Sequence, residues 1–195
     1  MRTRIAEHVL EFAFPAGTSR GVYTTHRVWR VELQDETGRV GIGECAPLPD
    51  LSCDALPPHE YRAKLEEACS QLARTGQLPV EQLRDYPSIL MGLETAVQHL
   101  RAGSWRLWDT PFSRGEEGIR INGLIWMGNF PTMLERLEHK LQAGFRCIKM
   151  KIGAIDWQRE VELLRRIRER YSPREVELRV DANGAFPPQD APARL

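Results

Sequence analysis

The stretch FRCIKMKIG, residues 145–153, decides how the second half of this 195-residue chain is read. It is an apolar run interrupted by two lysines, Lys149 and Lys151. Side chains two apart on a strand point to the same face. Both ammonium groups therefore share one side, and Ile148, Met150 and Ile152 share the other. The lysine side faces either water or a site. Lysines on an exposed strand edge merely discourage aggregation, so the pair alone does not choose between the two.

Its surroundings narrow the choice. After Gly153, Asp156 is placed to cap a helix running from Trp157 to about Tyr171. EVELRVDANGAF (residues 175–186) then reads as another strand. Upstream, IRINGLIW (residues 119–126) reads as a strand, and Asn129 or Thr132 can begin a helix over PTMLERLEHKLQAG that Gly144 ends. Strand–helix units thus recur roughly every 30 residues, the pattern of parallel βαβ architecture. A (β/α) barrel takes about 250 residues, so three such strands predict only the opening part of one.

The first half has a different rhythm. RIAEHVLEFAF alternates loosely and HRVWRVELQD cleanly, Trp29, Val31 and Leu33 interleaving with Val28, Arg30 and Glu32. The turn at residues 36–38 and the return strand RVGIGEC complete an antiparallel reading. A proline-rich loop covers residues 46–58. Two helices follow, one with Tyr61, Leu65, Ala68 and Leu72 on its apolar face and ending at Gly76. The other begins near Pro87, carries Ile89, Leu90, Leu93, Val97 and Leu100, and stops at Gly103. The expected organisation is an α+β domain over residues 1–110 and the first βα units of an incomplete barrel over 111–195.

Composition excludes several function classes. Hydrophobic residues make up 42% and charged residues 28%, enough for a core and too apolar for a disordered chain. Lys+Arg 27 against Asp+Glu 27 leaves no net charge and no basic stripe, so no nucleic-acid partner is expected. The densest basic run, LLRRIRER (residues 163–170), flanked by Glu160, Glu162 and Glu169, reads as a solvated helix face. The four cysteines form no CxxC pair, and a structural zinc is not expected. The N-terminus carries no secretory signal and no apolar run reaches membrane length, so a cytoplasmic protein with free thiols is expected.

In a parallel barrel, function gathers at the C-terminal ends of strands. Lys149 and Lys151 end one strand, while Arg179, Asp181 and Asn183 share a face at the end of the next. Adjacent strands lie about 4.8 Å apart, so two lysines and a carboxylate meet at one rim. A second cation disfavours the charged form of its neighbour, which suits Lys151 as a base. Asp181 suits a hard metal such as Mg²⁺. An Asp-x-Asn at a strand end also serves as plain turn chemistry.

KMK followed one βα unit later by RVDANGAF, behind a segment with GIGECAPLPDLS, resembles the enolase superfamily, muconate-lactonizing subgroup. RINGLIWMG is similar to the o-succinylbenzoate synthase family, and the resemblance covers the chain up to Phe186. It implies an α+β capping domain before a barrel, a Mg²⁺ (or Mn²⁺) cofactor and a small carboxylate substrate. The implied reaction is a lyase reaction of menaquinone biosynthesis: dehydration of 2-succinyl-6-hydroxy-2,4-cyclohexadiene-1-carboxylate to 2-succinylbenzoate. Carried over residue by residue, Lys151 resembles the acid/base and Lys149 its electrostatic partner. Asp181 resembles a metal ligand, Asn183 a support of that ligand, and Arg179 a residue facing substrate. Ser19, Arg20 and Gly21 fall in one capping loop and Pro47 and Leu48 in the other. The family's remaining carboxylate ligands and opposite lysine match no position up to Leu195, so the chain by itself is expected to be inactive. Dipeptide epimerase or N-acylamino-acid racemase chemistry, and a non-catalytic truncated product, remain the alternatives.

Overall fold

The computed structural model describes residues 1–17 and 21–194. They form two compact units, one of residues 1–15 with 23–118 and one of residues 16–22 with 119–195.

The first unit is built on an antiparallel sheet ordered β1-β2-β3, with β1 Arg2–Gly17, β2 Val22–Gln34 and β3 Val40–Cys45. The β2–β3 register sets Trp29 opposite Cys45, Val31 opposite Gly43 and Leu33 opposite Gly41, all on the buried face. Asp35 makes the turn between them. Its Oδ1 accepts from the amides of Thr37 (2.9 Å) and Arg39 (3.0 Å), and its Oδ2 from Arg39 Nε (2.9 Å). Gly38 supplies the left-handed φ of +87° that this turn needs.

Helices α1, Pro58–Thr75, and α2, Pro87–Ala102, cover that face and end in left-handed Gly76 and Gly103, as their sequence periods predict. The glycines of GIGEC have a specific purpose here. A Cβ on Gly43 would lie 1.8 Å from the Gly92 carbonyl, and one on Gly41 would lie 2.1 Å from that of Ala96. Only glycine lets α2 come so close to β3. His99 of α2 is nearly buried, and its Nδ1 accepts from the Ile42 amide at 3.1 Å, a core role its sequence position did not announce. Asp54, also buried, accepts from the Ser88 amide (2.7 Å) and hydroxyl (2.5 Å) in the first turn of α2. All four cysteines are free thiols. Burial pushes Cys45 and Cys69 up to about 12, whereas Cys53 is exposed and Cys147 half-buried.

The second unit carries a parallel sheet ordered β4-β5-β6, with β4 Gly123–Ile125, β5 Cys147–Lys151 and β6 Glu177–Asp181. Helices α3, Phe130–Gln142, and α4, Trp157–Arg170, cross over between these strands. Asn129 caps α3 by accepting from the Thr132 amide at 3.0 Å, which settles the choice between those two residues. Asp156 caps α4 through the amides of Gln158 and Arg159. Ile125, Ile148, Met150 and Ile152 bury completely against Met133, Leu137, Leu163 and Ile167. A short helix α5, Ala191–Arg194, ends the described residues.

Three expectations need correction. The strand expected over residues 119–126 is only three residues long, because pairing starts at Gly123↔Ile148 and leaves Ile119 and Ile121 exposed. Asn183 is not on the strand: β6 ends at Asp181, and Asn183 has a left-handed φ of +47° in the turn beyond. Glu160 is not part of a solvated helix face. It is completely buried, while Glu162 of the same helix does pair in solvent with Arg159 and Arg166. No described helix is long and apolar enough to cross a membrane.

Candidate active site

The i, i+2 spacing of the KMK stretch works as the sequence implies. Ile148 and Met150 pack under α3 and α4, and Lys149 and Lys151 emerge on the opposite face. Parallel pairing sets Lys151 directly beside Asp181 and Lys149 beside Arg179. Both ammonium groups converge on one oxygen: Lys149 Nζ and Lys151 Nζ each lie 2.8 Å from Asp181 Oδ2. Lys151 also donates to Asn183 Oδ1, and its ammonium lies 5.6 Å from the centre of the Trp126 ring. Asn183 reaches the cluster because its amide donates to Asp181 Oδ1 at 3.0 Å, folding the turn back over the strand end.

The electrostatics follow from this geometry. Hydrogen bonds from Lys149 first and Lys151 second hold the Asp181 carboxyl far below the usual carboxylate range. One carboxylate cannot neutralise two ammonium groups, so the cluster attracts anions. The Lys151 side chain is 12% exposed and that of Lys149 33%, which makes Lys151 the more enclosed of the two.

The other expected residues lie elsewhere. Arg179 does not join the cluster. Its Nε donates to Glu177 Oε1 at 2.8 Å, and it lines a cavity with Arg120, Arg146 and Cys147 toward the start of the strands. Pro47 and Leu48 belong to the first unit, where the Leu48 amide donates to Ser52 Oγ at 2.9 Å and steadies the loop. Ser19 and Arg20 lie outside the described residues, and Gly21 beside them is exposed. Trp126 was not singled out from sequence as a site residue, although an indole one residue past a parallel strand is a readable signal. Besides flanking Lys151, its indole N–H donates to the Gly17 carbonyl at 2.7 Å, within the same unit.

Asp181 and Asn183 offer hard oxygen atoms, but Mg²⁺ demands a near-octahedral set of them. Among the described residues no three acidic, histidine or cysteine side chains come together. The residues present therefore do not make a magnesium site by themselves.

The family profile described as enolase C-terminal domain-like matches residues 132–195, which span β5, β6 and this cluster. Over 95% of its length the chain is 39% identical to o-succinylbenzoate synthase of Desulfotalea psychrophila. The chain has an enolase-superfamily fold. The crystal structure of MenC from D. psychrophila superposes with a TM-score of 0.71 at 31% identity, covering 100% of this chain and 60% of that one. O-succinylbenzoate synthase from Thermosynechococcus elongatus, complexed with Mg in its active site, superposes at 0.67 with 26% identity, covering 100% of this chain and 56% of that one. The chain spans 58% of the length of the D. psychrophila synthase. Its antiparallel sheet with helices, followed by parallel βα units, is the corresponding part of the enolase-superfamily fold.

Proposed function

We propose that this chain carries the capping region and first barrel strands of an o-succinylbenzoate synthase, a lyase of menaquinone biosynthesis. The observation that carries the reading is the convergence of Lys149 and Lys151 on Asp181 in a chain 39% identical to such a synthase. In this reading residues 1–110 are the capping domain and 111–195 the start of the barrel, working in the cytoplasm on a small carboxylate substrate.

Lys151 is the base that takes the proton from the ring carbon that bears the carboxylate. Hydroxide departs from the neighbouring carbon and the ring becomes aromatic, as 2-succinylbenzoate. Lys149 contributes the adjacent positive charge that draws the substrate carboxylate in. Asp181 would supply one oxygen ligand to Mg²⁺ (or Mn²⁺), which would stabilise the developing negative charge on the substrate carboxylate, and Asn183 would steady Asp181. Arg179, Ser19, Arg20, Gly21, Pro47 and Leu48 are assigned to the substrate side by resemblance.

The test joins residues 1–195 to the remaining C-terminal length of the D. psychrophila synthase and assays dehydration of the cyclohexadiene substrate with Mg²⁺. The folded chimera is expected to be active, and Lys151→Ala to lower kcat about a thousandfold with an unchanged circular dichroism spectrum. Asp181→Asn should lower activity and weaken the dependence on Mg²⁺ together. Full activity of the Lys151→Ala chimera would refute the assignment.

A further inference from the structure

Glu160 is an acidic side chain with no exposed surface, and its carboxylate accepts no bond from a lysine or arginine side chain among the described hydrogen bonds. Its partners are three consecutive backbone amides in the loop that leaves β5. Oε1 accepts from Gly153 (2.7 Å), Ala154 (3.1 Å) and Ile155 (3.3 Å), and Oε2 accepts from Gly153 as well (2.9 Å). A buried carboxylate survives where hydrogen bonds replace its lost water, and here four do so. The loop it holds begins two residues after Lys151.

That loop reaches the other half of the cluster too. The Ile152 amide donates to the Asp181 carbonyl at 3.0 Å, extending the pairing past the last strand residue. Gly153 has a φ of +87°, and a Cβ there would lie 2.4 Å from the Ala185 Cβ. The loop after β5 is thus pressed against the loop after β6, whose Ala185 amide closes a turn onto the Ala182 carbonyl (2.9 Å) around Asn183. Lys151 donates to Asn183, the residue held in that second turn. A continuous path therefore runs from Glu160 through Gly153 and Ala185 to both ends of the Lys151–Asn183 contact.

We infer that Glu160 is a positioning residue for Lys151: its buried carboxylate clamps the β5 loop so that the Lys151 ammonium is held against Asp181 and Asn183. The inference deepens the proposed function and rests on it only for the catalytic meaning of Lys151. Gln at this position keeps one carbonyl oxygen for Gly153, Ala154 and Ile155 but presents an NH₂ group where Oε2 accepted from Gly153. It therefore weakens the clamp, and Ala removes it.

The experiment uses the 195-residue chain labelled with ¹⁵N, and reads amide exchange together with the side-chain Nζ–Hζ resonance of Lys151. In the parent chain that resonance is expected to be sharp and slowly exchanging, as a held ammonium is. Glu160→Ala should speed exchange at Gly153, Ala154 and Ile155 about tenfold or more and broaden the Lys151 resonance away, with Glu160→Gln intermediate. The control is Asp156→Ala, which removes the side-chain bonds to the Gln158 and Arg159 amides that cap the same helix and none of the bonds to the Gly153, Ala154 and Ile155 amides. It should leave the Lys151 resonance in place, and its loss there to the same degree as in Glu160→Ala would overturn the inference, since Glu160 would then act only through helix stability. An unchanged Lys151 resonance in a folded Glu160→Gln or Glu160→Ala chain would also overturn it. If Glu160→Ala does not fold, Glu160→Gln alone decides. These readouts involve no turnover, so an inactive chimera would count against the synthase reading and leave this one standing.

Discussion

Asp35 shows how much one half-buried carboxylate organises. Its side chain is tied to Thr37 and Arg39, and these bonds, the Thr37 hydroxyl first, hold its carboxyl at about 2 against an ordinary 3.8. A depressed carboxylate stabilises the fold above its unfolded value and loses that contribution as pH falls through the folded one. Asp35→Asn should therefore melt below the parent chain at neutral pH, since it loses the charge pair with Arg39. The gap between the two melting curves should close between pH 3.8 and about 2, and a gap constant across that window would refute the link. Asp181 is depressed for a related reason, with two ammonium groups in place of the Thr37 hydroxyl and the Arg39 guanidinium. Its position was legible because Lys149, Lys151 and Asp181 obey a two-residue period that survives any tertiary context. Glu160 was illegible for the opposite reason. In sequence it is one acid among Glu160, Glu162 and Glu169 beside a basic run, and only the folded path of residues 153–155 removes it from solvent.

At the scale of elements, helix ends were readable because single residues set them. Asp156, Gly76 and Gly103 stand where capping chemistry requires them. Asn129→Ala should accordingly cost about 1 kcal/mol in urea unfolding of the chain. Strand length was harder to read, because it depends on a partner: Ile119 and Ile121 alternate properly and still find nothing to pair with before Gly123. The docking of α2 on β3 was hidden as well. Glycines in a strand suggest weakness or a bend, whereas Gly43 and Gly41 are present because helix carbonyls occupy the space a methyl would take. Gly43→Ala must push α2 outward and should destabilise the first unit by about 3 kcal/mol or more. A Gly118→Ala control in the same unit, with open space around its Cβ, should cost far less in the same melt.

On the whole-molecule scale, β4 and β6 are the outer strands of the parallel sheet among the described residues. Val180 of β6 is 39% exposed even though its neighbour in register, Met150, is completely buried. An exposed apolar side chain on a strand favours association with another apolar surface. Val180→Lys should therefore reduce concentration-dependent association in sedimentation velocity while leaving the melting temperature within about a degree, as surface changes usually do. If association is unchanged, the contact lies elsewhere. The cysteines carry a last consequence. Cys53 sits exposed in the loop between β3 and α1, whereas Cys45 and Cys69 are sealed as protonated thiols in the core of the first unit. An alkylating reagent therefore meets two kinetic classes within one unit: Cys53 reacts with the native loop, and the sealed pair waits for the unit to open. The chain carries its own unfolding clock, readable by mass spectrometry without any engineered label.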